Sequence, residues 1–229
     1  MWTVRVFTLY PELFPGPLGS GLYKKALEKK IWSLKVVNIR DYALDKHKTV
    51  DDTPFGGGSG MVMRADVLSN SLDKNISNKN ESIIYLSPKG KKFDQACAKK
   101  LLKKNINIIC GHFEGIDERI LEARNIEEIS IGDFILSGGE IGALVIIDSV
   151  VRLLPGVLGN FNSLSEESFE NDLLEYPQYT KPQIWQKNKV PEVLLSGDHA
   201  KIKDWRLSQS EAITRDRRPD LWQKHNKKN

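Results

Sequence analysis

The sequence predicts an α/β fold: a parallel sheet carrying helices, with a small helical domain after it. Three short apolar runs that each end at glycine support this. Ile83 to Leu86 stops at Ser87-Pro88-Lys89-Gly90, and Ile106 to Cys110 stops at Gly111-His112-Phe113-Glu114-Gly115. Ile131, Phe134, Ile135 and Leu136 run into Gly138-Gly139, and the segment Ala143 to Leu154 then reads as a buried helix. Runs of this kind fit buried parallel strands, whose carboxyl ends border the ligand crevice of open α/β sheets. Glycine matters there because backbone approaches a ligand closely only where no Cβ intervenes.

The remaining elements follow in order. Trp2 to Leu9 alternates as a strand, Tyr10 to Gly21 is irregular with three prolines and three glycines, Leu22 to Lys30 reads as a helix and Ile31 to Ile39 as a second strand. Arg40 to Met63 has no apolar period and contains Pro54-Phe55-Gly56-Gly57-Gly58-Ser59-Gly60, so a lid over a substrate and plain disorder compete for it. Neither Gly-x-x-x-x-Gly-Lys-Ser/Thr nor Gly-x-Gly-x-x-Gly occurs, which sets aside nucleotide triphosphatases and dinucleotide oxidoreductases. Asp66 to Leu72 is a short helix. Phe93 to Lys104 is another, with Ala96, Cys97, Leu101 and Leu102 on its dry face and Lys99, Lys100, Lys103 and Lys104 in solvent. Ile116 to Asn125 is a helix opened by Asp117 and Glu118, with Arg119 placed to pair with a neighbour. A boundary falls after Leu154-Pro155-Gly156, giving a domain over 1–158, a linker over 159–172 and a helical domain over 173–229, whose main helix is capped at Asp198.

Composition narrows the class. The 229 residues are 28% charged and 40% hydrophobic, no apolar run reaches the roughly 18 residues of a membrane span, and Met1-Trp2-Thr3-Val4-Arg5 is no signal peptide, so a cytoplasmic protein without a membrane partner is expected. Cys97 and Cys110 lack metal-ligand spacing, and neither disulfide nor metal is expected from them. The net charge of +4 is uneven. Tyr176 to Asn229 holds 12 Lys+Arg against 6 Asp+Glu, and the rest of the chain 22 against 24. A basic tail with interleaved aromatics (Trp205, Arg215, Arg217, Arg218, Trp222) suits a nucleic-acid partner.

Seven blocks in order resemble the bacterial tRNA (guanine-N1)-methyltransferases, the TrmD type of the SPOUT superfamily. They are Thr49-Val-Asp-Asp-x-Pro-Phe-Gly-Gly-Gly-x-Gly-Met61, Tyr85-Leu-Ser-Pro-x-Gly90, Cys110-Gly-x-Phe-Glu-Gly-Ile-Asp-Glu-Arg119, Ser130-Ile-Gly-Asp-Phe-x-Leu-Ser-Gly-Gly-Glu140, Pro155-Gly-Val-Leu-Gly159, Pro177-x-Tyr-Thr-x-Pro182 and Leu194-Leu-Ser-Gly-x-His-Ala200. The resemblance implies a SPOUT-type parallel sheet with a deep trefoil knot, one of the few exceptions to unknotted chains, and a homodimer with the active site at the subunit interface. It implies S-adenosylmethionine as cofactor, bound by Tyr85, Leu86, Ser87, Pro88, Gly111, Phe113, Glu114, Gly115, Ser130, Ile131, Gly132, Asp133, Phe134, Ile135, Leu136, Gly138 and Gly139. Glu114 is left between holding the sulfonium and holding a Mg2+ ion. For tRNA, it implies contacts at Gly58, Lys181, His199, Arg206 and Arg215.

The implied reaction is methyl transfer to N1 of the guanine at position 37, 3′ of the anticodon. Guanine N1 carries a proton, so a carboxylate must accept it as attack proceeds. The resemblance puts that base at Glu167, where aspartate is the family residue, and the neighbouring Glu166 leaves the assignment open by one position. Arg152 matches the arginine that stabilises charge gathering on O6. Lys181 stands where arginine is usual, a point charge replacing a forked donor. A SPOUT enzyme of other specificity and a non-catalytic RNA-binding protein are the alternatives. Nucleoside analysis of the product separates the first, and donor binding without transfer identifies the second.

Overall fold

The computed structural model describes residues 1–78, 81–159 and 167–228, the last without its side chain. The chain divides into two compact units, 1–159 and 160–229.

The first unit contains β1 (Trp2–Thr8), α1 (Gly21–Glu28), β2 (Trp32–Asn38), β3 (Asp51–Asp52), β4 (Val62–Met63), α2 (Ala65–Asn75), β5 (Ser82–Lys92), α3 (Gln95–Leu101), β6 (Ile106–Ile109), α4 (Glu118–Ala123), β7 (Glu127–Ser130) and α5 (Glu140–Val151). Five strands form a parallel sheet in the order β2-β1-β6-β5-β7. Strands buried on both faces are mostly apolar, and all four residues of β6, three isoleucines and Asn107, are buried. Successive strand residues point to opposite faces. Phe7 packs into a core with Val67, Leu68 and Leu72 of α2 and Ile120 and Leu121 of α4, whereas the next residue, Thr8, bonds to Glu140 at the start of α5. Helices therefore cover both faces, and β5, β6 and β7, as neighbours, bring their carboxyl ends together.

The structure corrects four sequence expectations. The strand expected over Ile131–Leu136 lies earlier, at Glu127–Ser130. Ser130 ends it, because its hydroxyl donates to Gly132 O at 3.1 Å and accepts from Gly132 N at 3.2 Å, and Gly132 has φ +149°. The apolar residues that suggested a strand are loop residues, Ile135 being 80% exposed. Conversely, β5 does not stop at Ser87. Leu86 and Lys91 both pair with Ile129 of β7, so Ser87–Gly90 form a bulge inside a continuing strand. A Cβ on Gly90 would sit 2.4 Å from the Glu128 carbonyl carbon, so only glycine passes there.

In α3 the buried positions are Ala98 and Leu101, while Ala96 is exposed. The helix begins only after Asp94, whose carboxylate accepts from Cys97 N, and this shortens the expected element. The long segment after Arg40 is not structureless. Asp45 accepts from His47 N, Thr49 N and Thr49 Oγ1, bonds that lower its pKa, the Thr49 side chain most, and β3 pairs antiparallel with β4. The irregular parts are 43–50, held by the Asp45 bonds, and the tip between those strands, where Phe55 is fully exposed.

The second unit holds a small hairpin, β8 (Ile184–Trp185) and β9 (Asn188–Lys189), and two helices, α6 (His199–Arg217) and α7 (Pro219–Lys228). Asp198 caps α6 by accepting from Lys201 N at 3.2 Å. The Thr214 hydroxyl, fully buried, donates to Ser210 O at 2.6 Å and accepts from Leu174 N at 2.8 Å, pinning the segment before the hairpin to α6.

One polar cluster sits inside the sheet layer. Asn107 is fully buried, and its amide donates to Glu81 Oε2 and Ser82 O, while Arg5 donates to Glu81 Oε2 at 3.0 Å and to Asn107 Oδ1. Glu81→Ala removes the shared acceptor and leaves buried donors unpaired, a change worth about 3 kcal/mol. Urea denaturation is expected to show a lower midpoint with an unchanged slope.

Candidate active site

A cavity of about 290 Å³ opens beside the bulge of β5 and the carboxyl ends of β6 and β7. Its wall is built from Tyr85 and Leu86 with the bulge residues Ser87 and Pro88, from Gly111 to Gly115 after β6, and, from the end of β7 into the first turn of α5, from Ile129 to Gly132, Phe134 to Gly139 and Gly142. Of the residues expected at a cofactor, Asp133 alone is absent from this wall; it is exposed, between two residues that do line the cavity. Four lining residues were not anticipated: His112, Ile129, Ser137 and Gly142. His112 lies inside a block read for its glycines, so position offered a signal that residue type did not.

Close backbone packing shapes the wall. A Cβ on Gly139 would stand 2.7 Å from Cys110 Cα, and one on Gly111 2.6 Å from the Tyr85 ring. The Gly139 N–H donates to Gly111 O at 3.0 Å, joining the turn before α5 to the loop after β6. Phe113, at φ +59°, is held in the left-handed region, a strain of the kind that clusters at functional sites. Glu114 donates its N–H to Met61 O at 2.9 Å, and a Cβ on Gly60 would stand 2.3 Å from Glu114 Oε1. The glycine-rich tip thus reaches the cavity rim at Glu114.

Behind the wall lies a buried polar chain. Glu140, 3% exposed, accepts from Thr8 Oγ1 at 2.6 Å, and His112 Nε2 lies 2.9 and 2.8 Å from its two oxygens. A carboxylate accepts and does not donate, so Nε2 carries the hydrogen. The Tyr10 ring meets the imidazole edge-on at 4.9 Å.

Arg152 does not line the cavity. It caps the far end of α5, roughly 18 Å along the axis from the Gly139 turn at 1.5 Å per residue. One turn earlier, burial raises the Asp148 carboxyl pKa and Arg152 opposes that rise, while Asp148 Oδ1 is buried without a hydrogen bond.

Two further cavities lie within the second unit. One, of about 450 Å³, is lined by Lys181, Tyr176, Tyr179, Trp205 and Arg206, among others. The other, of about 540 Å³, is lined by Glu167, Tyr176, His199, Lys203 and Arg206, among others. Arg206 borders both and stacks over the Tyr176 ring at 4.7 Å, whereas Arg215 stacks over Trp222 at 4.9 Å and lines neither. Gly58 is exposed on the glycine-rich tip of the first unit, and Glu166 lies outside the described residues.

Comparison with known proteins now bears on this geometry. The family model described as tRNA (Guanine-1)-methyltransferase TrmD matches residues 1–224. A tRNA (guanine-N(1)-)-methyltransferase of Pelagibacter ubique (strain HTCC1062) is 71% identical over 228 residues, 99% of this chain and 100% of that protein. Proteins of the same description from Bartonella tribocorum and Wolbachia pipientis subsp. Culex pipiens are 58% and 54% identical, with 97% and 96% of this chain covered and 96% and 97% of theirs. By both measures, the chain belongs to the tRNA (guanine-1)-methyltransferase family TrmD.

Proposed function

We propose that the protein transfers a methyl group from S-adenosylmethionine to N1 of guanine 37 of tRNA, 3′ of the anticodon. The observation that carries this is the cavity where the bulge of β5 meets the loops after β6 and β7, in a chain whose residues 1–224 match the family. Its residues fit the donor. Glycines at 111, 138 and 139 let the backbone of the wall pack closely where a Cβ would collide, and Phe113, Phe134 and Leu136 offer apolar surface to an adenine ring. When bound, S-adenosylmethionine supplies an electrophilic methyl carbon on a sulfonium. Glu114, at the rim, presents a carboxylate to that positive charge. Among the described residues no three His, Cys, Asp or Glu gather to hold a metal, so a Mg2+ ion at Glu114 would complete its shell with water and substrate oxygens.

Glu167 takes the proton from guanine N1, and the Arg152 guanidinium meets the charge that collects on O6. A glutamate where the family has aspartate lengthens the arm by one methylene, a shift of about an ångström at the oxygen and enough to alter rate. The tRNA backbone is held by the basic second unit, with Lys181, His199 and Arg206 bordering its cavities, Arg215 on α6 and Gly58 reaching from the glycine-rich tip.

Because Arg152 stands a helix length from the cavity of its own chain, we assign it to the cavity of a second copy. The exposed side of α5 runs Ile141, Val145, Ser149, Arg152 at helical spacing, and with Phe134 and Ile135 offers apolar surface for a partner subunit. The deep trefoil knot of the SPOUT fold belongs to the same proposal.

The product decides the reaction: N1-methylguanosine is expected in an unmodified transcript with guanine at position 37 and absent when adenine replaces it. Glu167→Gln should lower kcat at least about 100-fold while donor and tRNA dissociation constants stay within about threefold, and near-normal turnover would remove Glu167 from the base role. Mixed dimers of Arg152→Ala and Glu167→Gln chains test the shared site. If each site draws these two residues from different chains, mixing equal amounts of the two variants restores about a quarter of the wild-type activity, through one intact site in the half of the dimers that are mixed; no recovery places both residues in one chain's site.

A further inference from the structure

We infer that His112, held through Glu140, is a positioning residue for the methyl-donor cavity, an inference that rests on the donor reading of that cavity. Two loops make most of its wall, the one after β6 and the turn before α5, and among the described residues two hydrogen-bonded links join them. One link is the backbone bond from Gly139 N to Gly111 O at 3.0 Å. The other is the side-chain contact between His112 and Glu140, with Nε2 within 2.9 Å of both carboxylate oxygens.

Gly138 lies directly on this pair. A Cβ there would stand 2.2 Å from the imidazole Cε1 and 2.7 Å from Glu140 Oε2, so a cavity-lining glycine takes its position from the pair beneath it. Glu140 is anchored in turn. Thr8 Oγ1 donates to it from the end of β1, and as the first residue of α5 it places a carboxylate at a helix N-terminus, where negative charge is favoured. The imidazole completes the path from sheet to wall: Thr8, Glu140, His112, then Phe113 and Glu114. No reacting atom need touch His112 for this path to matter, because a displaced loop costs binding.

Calorimetric titration with S-adenosylmethionine and with S-adenosylhomocysteine tests it on the full-length protein, below the melting temperature of each variant. His112→Leu, which removes the donor to Glu140, is expected to weaken donor binding about tenfold, about 1.4 kcal/mol. His112→Gln keeps an N–H donor and should stay within about threefold of wild type. In turnover the loss should fall on the donor KM, with kcat at saturating donor within about threefold and tRNA affinity unchanged. In both variants Thr8 Oγ1 still donates to Glu140, and a thermal melt of each establishes that it is folded before titration. Wild-type affinity in His112→Leu, equal losses in both variants, or a loss confined to kcat would overturn the inference alone. Failure of the wild-type protein to bind the donor would overturn the cavity reading and this inference with it.

Discussion

The structure depends on the contact between two stretches of bare backbone. Where the turn before α5 meets the loop after β6, Gly139 lies so near Cys110 that a single methyl group would collide with its Cα. That approach pulls α5 against the carboxyl end of β6 and closes a concave wall from loops that would otherwise splay. Sheet order makes it possible. With β5 between β6 and β7, the loops after β6 and β7 leave one edge of the sheet, and the bulge at Ser87–Gly90 of β5 stands between them. The cavity is thus a consequence of strand neighbourhood and of Cβ atoms that are missing.

The same helix that begins at the cavity ends far from it. α5 buries Ala143, Ile146, Ile147, Val150 and Val151 against the unit's interior while Ile141 and Val145 stay exposed. Burial of this kind is worth about 1.5–3 kcal/mol per large aliphatic side chain, which makes the helix a rigid spacer. It therefore fixes the separation between Glu140, at the wall, and Arg152, at the opposite end. If Arg152 acts at a donor cavity, as proposed, the length of α5 favours the cavity of a second copy over that of its own chain.

Charge is handled differently in the two units. In the first, ionised groups are drawn into specific buried contacts, as with Arg5, Glu81 and Asn107, or Thr8, Glu140 and His112. In the second, arginines lie on aromatic rings, Arg206 on Tyr176 and Arg215 on Trp222. Stacking holds the guanidinium plane in place, an arrangement suited to phosphate groups.

By itself the sequence determined the α/β class, the three stretches that line the cavity and the basic character of the tail, because each is written in local signals: apolar run length, glycine position and charge count. It misplaced the strand before α5 because Ile131, Phe134, Ile135 and Leu136 carry β propensity, whereas the Ser130 hydroxyl and Gly132 turn the chain before they can pair. It read Ser87-Pro88 as a stop because re-pairing after a bulge depends on β7, more than thirty residues later. His112 and Glu140 went unlinked for the same reason. They are 28 positions apart, and neither residue type announces a partner. Only the tertiary structure decided which residues share a wall, since that depends on strand order and backbone approach, and neither is encoded within the span of one element.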